Sequence, residues 1–422
     1  MKLNKPILYL IPWAYLLLAL LTVRIYMTNY IFFSGKTPLL ISYILITFLV
    51  ALYPGYKCIQ QIGGDKAYRF LNIYMLYTIV SIVYSYLANY LETDSVNQFK
   101  LFSYYLAGTS CLSVYFFSSP EFFTKGTKLF YRILPFLFLI LLPLTREGLE
   151  GDMAGNLLAP ALLPILFWKD LNFRSKIIYS VIAVFVIITS FEGDARSNLI
   201  KFSVAFFLGL FINRYFTKVF KYLVWAIMLI PFILFYLGVS GQFNIFQETE
   251  KQQVSFNEEL NEYSLIDTRT TIYTEALASA TRNKKIIWGR GLGRGYQSNL
   301  AWQRLKAQEY TARSYYETEY SRERNSEVGI VNLFLWGGVV YVLIYTIMMV
   351  SALFYGLYRS SNKYVTSVAV FLSFYYVYDW VENVQGMVVT YFVFWFFVAI
   401  CLSPFFRNMT DLDFKAFIKR IF

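Results

Sequence analysis

One polar interval decides the fold, and it contains Asp267-Thr-Arg-Thr-Thr-Ile-Tyr-Thr-Glu-Ala-Leu-Ala-Ser-Ala280 and Ile286-Ile-Trp-Gly-Arg-Gly-Leu-Gly-Arg-Gly295. The interval runs from Ser240 to about Asn325 and carries 12 of the 38 Lys and Arg residues of the chain. Strongly apolar segments flank it on both sides, so the chain must leave a bilayer before it and return after it. We therefore expect a membrane protein in which this interval forms a large outer loop over an active site.

Each of the two quoted segments has a predicted local structure. The first is typical of a short helix, with Asp267 as its N-cap and Arg269 in its first turn. The second predicts a flexible turn in which backbone N–H groups and the side chains of Arg290 and Arg294 could bind an anion. The stretch 302–324 has neither Gly nor Pro, which predicts a second helix that leads back into the membrane.

Composition places the chain among polytopic membrane proteins. Apolar residues make up 57% and aromatic residues 20% of the sequence, and the mean hydropathy is +0.48. Apolar runs of roughly 20 residues, long enough to cross a bilayer as a helix, recur along the chain. The sixth run contains Pro160 and Pro164, which predicts a kinked or re-entrant segment. We predict an all-α protein with about 12 transmembrane helices, near residues 7–27, 38–55, 68–90, 101–118, 129–144, 154–168, 176–191, 198–213, 219–239, 328–356, 364–378 and 387–405.

The distribution of basic residues predicts the orientation. With the N-terminus inside, 20 Lys and Arg residues lie in cytoplasmic loops and tails and 4 in the short outer loops. This bias follows the positive-inside rule and puts both termini in the cytoplasm. We therefore expect spans 1–9 in residues 1–239 and a periplasmic catalytic loop at 240–327. Spans 10–12 and a cytoplasmic tail would follow at 328–422.

Composition also excludes several function classes. The chain has no histidine, which rules out a Ser-His-Asp triad, a histidine general base and a histidine-ligated zinc site. Its 3 cysteines include no CxxC and do not make a disulfide framework. We expect no cofactor. The net charge of +12 does not indicate nucleic-acid binding, because most of it lies in short loops between spans. The first span lacks a signal-peptidase site and is expected to be retained.

Basic residues that stay on the outer side, against the general bias, are functional candidates. Arg146 precedes the sixth span, and Arg196 lies in a tight turn between the seventh and eighth spans. Lys201 follows about one helical turn later, inside the apolar part of the eighth span. An ionisable residue within a membrane is energetically costly and is usually functional. We expect these three cations to bind an anionic substrate group.

Several of these outer elements match the motifs of one family of membrane enzymes. Ala195-Arg196-Ser197 at the head of a span and Thr268-Arg269 followed by Trp288-Gly-Arg-Gly-Leu-Gly are the main ones. Gly155-Asn156-Leu157 and the passage from Arg324-Asn-Ser-Glu-Val-Gly to Trp336-Gly-Gly-Val-Val complete the set. In order and spacing they resemble the O-antigen polymerase and O-antigen ligase superfamily (the Wzy and WaaL group). The resemblance covers approximately residues 140–345.

The resemblance implies a GT-C-like helical fold and a glycosyltransferase of the bacterial inner membrane that acts on its periplasmic face. The implied donor and acceptor are undecaprenyl-diphosphate-linked oligosaccharides, used to build the O-antigen of lipopolysaccharide or a capsule without a metal or nucleotide sugar. A co-polymerase that regulates chain length is a compatible partner. The ligase branch carries a histidine where the large loop re-enters the membrane, and this chain has none. This departure favours a polymerase, with a ligase and a flippase of the same lipid-linked units as alternatives.

The chemistry of such a transfer assigns roles to the candidate residues. A diphosphate leaving group needs fixed cations, and arginine binds phosphate oxygens through two parallel hydrogen bonds. We assign Arg196 and Arg269 to catalysis. The general base must be a carboxylate in a chain without histidine, and Glu327 at the start of the tenth span is the first candidate. The residues predicted to contact the diphosphate are Arg196, Arg269, Arg290, Arg294, Lys201 and Arg146.

Aromatic residues of the loop are predicted to bind sugar. Tyr296, Trp302 and Tyr315 present flat faces on which a sugar ring can stack. Direct displacement at the anomeric carbon would invert its configuration. Asp379 and Glu382 in the last outer loop are interpreted as helix-end residues rather than as catalysts.

Overall fold

The structure is a computed structural model that describes residues 62–89, 105, 108–142, 151–192, 196–211, 214–239, 268–297, 323–324, 326, 328–383 and 388–422. In this part of the chain nearly all regular structure is helical. Two-residue strands, β1 (Tyr296–Gln297) and β2 (Glu323–Arg324), pair antiparallel with Tyr296 opposite Arg324. The helices are α1 (Arg69–Asn89), α2 (Ser113–Phe117), α3 (Thr127–Leu141), α4 (Gly151–Leu157), α5 (Leu162–Leu166), α6 (Phe173–Glu192), α7 (Arg196–Phe211), α8 (Arg214–Val239), α9 (Thr268–Arg282), α10 (Gly329–Tyr358), α11 (Lys363–Asp379), α12 (Val388–Leu402), α13 (Pro404–Arg407) and α14 (Asp411–Ile421).

Four helical segments of the described chain are long and apolar enough to cross a membrane. They are Lys66–Leu87, Phe173–Phe191, Lys218–Leu237 and Gly329–Tyr358. Ser197–Phe211 and Tyr391–Leu402 are shorter apolar helices. The prediction of an α-helical membrane protein is therefore confirmed in its coarse form, whereas the count of about 12 spans stays a prediction. The predicted spans at 7–27 and 38–55 lie outside the described residues.

The sixth predicted span is broken, as its two prolines led us to expect. Helix α4 ends at Leu157, a 3-10 turn covers Ala159–Ala161, and α5 covers only Leu162–Leu166. Pro160 lies in the 3-10 turn, and Pro164 lies within α5. Proline lacks a backbone donor and clashes with the preceding helical turn, and two prolines four residues apart favour the break in this segment.

The helices form a layered bundle with α10, α11 and α12 at its centre. Half of the apolar window of α10 is buried, compared with 17% for the window in α8. Outer helices α1, α6 and α8 keep rows of large apolar side chains exposed, and those of α1 recur at helical spacing: Ile73, Leu76, Val80, Val83 and Leu87. A fully apolar exposed stripe is what a helix presents to lipid.

One end of the bundle gathers segments predicted to be cytoplasmic. Asp170 accepts hydrogen bonds from Lys415 at 2.8 Å and Tyr364 at 2.8 Å, and Lys363 lies 3.9 Å away. Burial alone would raise the pKa of Asp170, but these partners hold its pKa below the usual value. The amphipathic helix α14 is thereby fixed against the end of the bundle through Lys415 and its buried apolar face.

The other end gathers segments predicted to lie outside. Tyr273 of α9 donates a hydrogen bond to the carbonyl of Trp380 at 2.6 Å, and the N–H of Gly329 donates to the carbonyl of Glu382 at 3.1 Å. Lys285 after α9 contacts the hydroxyl of Tyr84 near the end of α1 at 3.1 Å. The predicted inner and outer loops thus separate to opposite ends, as a polytopic topology requires. Which end faces the periplasm stays a prediction.

Helix α10 is interrupted within the bundle at Gly338, which has φ +67° and ψ −166°. The interruption leaves backbone N–H and carbonyl groups of α10 without partners inside the helix. The turn after α9 forms hydrogen bonds with these groups instead. The N–H groups of Arg290 and Gly291 donate to the carbonyls of Leu335 and Trp336 at 2.7 and 2.9 Å, and that of Val339 donates to Ile286 at 2.9 Å. A buried broken helix is tolerated because its freed groups are satisfied by protein.

Candidate functional site

Three predicted motifs begin helices at the end of the bundle that gathers the segments predicted to lie outside. Arg196 is the first residue of α7, Arg269 is the second residue of α9, and Gly329 opens α10 two positions after Glu327. Helix α9 lies within hydrogen-bonding distance of the end of α11, and the start of α10 contacts the same end. The predicted short helix with Arg269 in its first turn is therefore confirmed, and its placement brings three distant parts of the sequence together.

A buried carboxylate, Asp379, lies where these helices meet. It is the last residue of α11 and is only 1% exposed. Its Oδ1 fills the space next to Gly329, because a Cβ at that glycine would lie 1.8 Å from Oδ1. The hydroxyls of Tyr273 and Tyr345 lie close enough to Asp379 to interact with its charge. A negative charge beside the first residue of α10 is also favoured by the helix dipole.

A buried cation, Lys201, lies on the neighbouring helix α7. Its side chain is 4% exposed, donates to Asn198 Oδ1 at 2.9 Å, and lies 4.8 Å from the centre of the Tyr378 ring. Tyr378 directly precedes Asp379, so α7 brings a buried ammonium group to the segment that carries the buried carboxylate. Lys201 lies within the apolar helix Ser197–Phe211, as its place in the eighth predicted span led us to expect, whereas its role at the site stays a prediction. Charged side chains at such a depth are costly to keep and indicate a functional site.

The Gly/Asn element before the sixth predicted span forms part of the same region. Gly155 of α4 packs directly on Asn198, since a Cβ at Gly155 would lie 2.3 Å from the Asn198 side chain. Asn198 is in turn the hydrogen-bond acceptor of Lys201. Glycine at position 155 is therefore required for α4 to approach α7, and this approach encloses the lysine.

The segment around Glu327 is held by its neighbours in the sequence. The N–H of Ser326 donates to Asn332 Oδ1 at 2.7 Å, and Asn332 Nδ2 donates back to the Ser326 carbonyl at 2.9 Å. The Ser326 hydroxyl accepts from the N–H of Val328 at 2.9 Å. Glu327 itself lies outside the described residues. The described contacts fix Ser326 and Val328 at the start of α10, where Gly329 packs against Asp379.

The glycine-rich turn differs from its prediction. Its N–H groups were expected to bind an anion, but those of residues 289–292 and 294 donate to Lys285, Leu335, Trp336, Ser85 and Gly291 within the protein. The glycines instead allow the backbone of the turn to lie directly against the backbone of α10. A Cβ at Gly289 would lie 2.5 Å from the backbone nitrogen of Gly337. The turn therefore joins the loop to α10. Arg290 Nη1 donates to the Gly295 carbonyl at 3.0 Å, and Arg294 is half-buried.

The predicted sugar-binding residues are only partly described. Tyr296 lies in β1 and is 5% exposed, so its ring packs in the core rather than presenting a face to a sugar. Trp302, Tyr315 and the predicted diphosphate ligand Arg146 lie outside the described residues. The helix predicted for 302–324 is wrong at its last two residues, because Glu323 and Arg324 pair with β1 as a strand.

Asp379 is a helix-end residue, as expected, because it is the last residue of α11. Its burial was not predicted, and it is among the most buried polar residues that the structure describes. The available signal was its neighbourhood, since Tyr375, Tyr376, Tyr378 and Trp380 form an aromatic run that is unusual for an open loop. Only the tertiary contact with Gly329 identifies the carboxylate as part of the site.

No protein-family model, no curated protein and no solved structure matches the chain.

Proposed function

We propose that the protein is a membrane glycosyltransferase that joins lipid-diphosphate-linked oligosaccharide units on the outer face of the bacterial inner membrane. The observation that carries the proposal is that α7, α9 and α10 all contact the end of α11, where Asp379 and Lys201 are buried. A transfer reaction with an anionic leaving group needs cations and a carboxylate in one water-poor place. The resemblance to polysaccharide polymerases supplies the substrate class.

In this proposal the arginines at the helix starts act on the leaving group. Arg196 and Arg269 bind the diphosphate oxygens of the donor and stabilise the charge that develops as the glycosidic bond breaks. Lys201, Arg290, Arg294 and Arg146 add positive potential around it. The fixed fork of the guanidinium group holds the diphosphate in one orientation, so the anomeric carbon is presented to the acceptor.

A carboxylate completes the proposed centre by accepting the proton of the acceptor hydroxyl. Glu327 is the first candidate, because it precedes the start of α10 and is followed at once by apolar sequence. Asp379 lies beside that helix start and is fully buried. Its negative charge helps to hold the nearby cations and the segment of Glu327 in place. The reaction is a direct displacement with inversion at the anomeric carbon.

A lengthening assay in detergent tests the proposal. Purified full-length protein is mixed with lipid-linked repeat units that are accessible without transport, and the products are separated by size. A polymerase produces a ladder of longer lipid-linked glycans. A ligase attaches the glycan to a different acceptor and gives no ladder, and a flippase leaves the units unchanged in detergent but moves them across vesicle membranes.

The transporter alternative has weaker support. Transporters commonly carry repeated halves with polar residues in both. Here the described intramembrane charges, Lys201 and Asp379, belong to one cluster at one end of the bundle.

A further inference from the structure

We propose that residues 282–288, together with the outer end of α1, form a binding site for the phosphate-bearing head group of a membrane lipid. We call this segment the 282–288 edge. It contains three cations, Arg282, Lys284 and Lys285, followed by Ile287 and Trp288. The two large apolar side chains are 58% and 65% exposed. Cations beside exposed aromatic and aliphatic side chains are typical of the membrane–water boundary.

The position of the 282–288 edge continues the lipid-facing side of α1. The exposed apolar stripe of α1 runs to Leu87, which is 70% exposed. Tyr84 lies on the same helix one turn earlier, and Lys285 lies 3.1 Å from its hydroxyl and 5.8 Å from the centre of its ring. The cation is therefore held at the end of a helix that is long and apolar enough to span a membrane, and the proposal places it at the level of the lipid phosphates.

The backbone at the centre of the edge gives an independent reason to assign a role to the lysine. Helix α9 ends in a Schellman motif, with the N–H of Lys284 bonded to the Thr281 carbonyl and that of Lys285 bonded to the Ala280 carbonyl. Lys284 occupies the left-handed position, φ +55°, which glycine normally fills. It is the one residue other than glycine with a positive φ in the described part of the chain. A lysine at a backbone position that favours glycine points to a use for its charge.

The positive charge of the 282–288 edge indicates that its ligand is an anion. The positive-inside rule disfavours basic residues at an outer membrane edge, so the adjacent pair Lys284 and Lys285 favours a local anionic ligand. A phosphate head group supplies that charge, and its acyl or isoprenyl chains cover Ile287 and Trp288. This part of the inference rests on the proposed function, in which the lipid-diphosphate substrate is a member of the same chemical class. The positive charges also interact favourably with the negative C-terminal end of the α9 dipole. This interaction stabilises the helix whether or not lipid binds.

The test uses the full-length protein in lipid nanodiscs, with Cys58, Cys111 and Cys401 replaced and a fluorophore attached at Ile287→Cys. Quenching is measured with spin-labelled phosphatidylglycerol and with spin-labelled phosphatidylcholine at equal mole fractions. We expect the anionic lipid to quench at least about threefold more strongly, since one lysine near an anionic surface is worth roughly fivefold in local lipid concentration. Iodide in the aqueous phase should quench weakly.

The double variant Lys284→Gln/Lys285→Gln should remove this preference, leaving a quenching ratio near one. The matched control is Lys218→Gln/Lys221→Gln at the other end of the bundle, where Lys221 lies 5.9 Å from the Tyr358 ring. This control should leave the ratio unchanged. Each double variant removes two positive charges. An equal change of the quenching ratio in both variants would therefore reflect net charge alone and would overturn the site.

Three further results would overturn the inference. Strong iodide quenching would show that the edge faces water. Equal quenching by both lipids would reduce the edge to a non-selective anchor. Saturable binding of free pyrophosphate in zwitterionic nanodiscs, lost in the double lysine variant and without lipid preference, would show a site for a soluble anion. Because no turnover is involved, a failed lengthening assay leaves this site intact, and loss of the lipid preference leaves the polymerase proposal intact.

Discussion

At the scale of single residues, the glycine at position 329 and the carboxylate at 379 depend on each other. The carboxylate oxygen occupies the space where any larger residue would place its Cβ, 1.8 Å away. Gly155 and Asn198 have the same relation on the other side of the cluster, with a distance of 2.3 Å. Small residues therefore bring polar side chains from different helices together, and the helix starts with Arg196 and Arg269 are positioned as a consequence.

The arginine prediction belongs to this scale. Arg196→Lys and Arg269→Lys should each nearly abolish polymer formation while the protein level stays normal, because a lysine keeps the charge but loses the two parallel hydrogen bonds to phosphate. Polymer is measured by gel after expression in cells that lack the native gene. Arg132→Lys, an exposed position of α3 at the other end of the bundle, is the control and should be neutral. Normal polymer with Arg196→Lys would identify Arg196 as an interface anchor.

At the scale of elements, the interrupted helix α10 links the outer loop to the bundle. Its broken hydrogen bonds are completed by the turn after α9, so the position of α9 and of Arg269 depends on Gly338. A Cβ at Gly338 would lie 2.1 Å from the carbonyl oxygen of Ile287. The same contact explains why the turn is rich in glycine: backbone must lie against backbone.

Gly338→Ala should therefore destabilise the protein by roughly 1–3 kcal/mol, because alanine is strained in this backbone conformation and clashes with the docked turn. Thermal unfolding in detergent, followed by tryptophan fluorescence, measures the effect. The control is Gly64→Ala, where an added Cβ meets no atom within 4 Å. This control should change stability by less than about 0.5 kcal/mol. Equal unfolding temperatures for Gly338→Ala and Gly64→Ala would contradict the proposed link between α10 and the turn after α9.

The C-terminal helix α14 gives a second prediction at this scale. Asp170→Asn removes the charge that holds Lys415, so α14 should dock less tightly, by about 1.5–3 kcal/mol for a charged hydrogen bond. The pKa of Asp170 is lowered in the folded protein, so its contribution is complete above about pH 4 and decreases as the pH falls through the lowered value. Acid should thus release α14 in the wild type.

Release of α14 is measured by thiol labelling of Ile418→Cys in a cysteine-free background. Ile418 is fully buried, so its label should react slowly in the wild type and faster in Asp170→Asn or at low pH. Lys419→Gln, on the exposed side of the same helix, is the control. Slow labelling in Asp170→Asn would show that the apolar face alone holds the helix.

At the scale of the whole molecule, the sequence predicted the helices better than the site. The length of each apolar run and the distribution of basic residues predict the spans directly. The bounds of α1, α6, α8 and α10 lie within about five residues of those expected. The break at Gly338 was not predicted, because it depends on the turn at 286–291, about 50 residues earlier in the chain. The burial of Asp379 was not predicted for the same reason. It arises from contacts among α9, α10 and α11, which no local sequence pattern encodes.

The overall topology makes a prediction for the orientation. In a cysteine-free background, Asn283→Cys should react with a membrane-impermeant maleimide added to intact spheroplasts, and Ser361→Cys should react only after lysis. Both positions are exposed, so a difference reports the side of the membrane. Labelling of Ser361→Cys from outside with none at Asn283→Cys would invert the topology and remove the outer site.

The most direct test of the proposed centre is single-turnover transfer between two lipid-linked repeat units by purified protein. Removal of a general base costs about a hundred- to ten-thousand-fold in rate, so Glu327→Gln should bind the donor but transfer at a rate reduced by that range. Asp379→Asn, which removes the buried charge and keeps the side-chain size, should also transfer slowly. Glu323→Gln, in β2, should transfer normally. Wild-type rates in both Glu327→Gln and Asp379→Asn would contradict a carboxylate-assisted transfer centre at the meeting point of α9, α10 and α11.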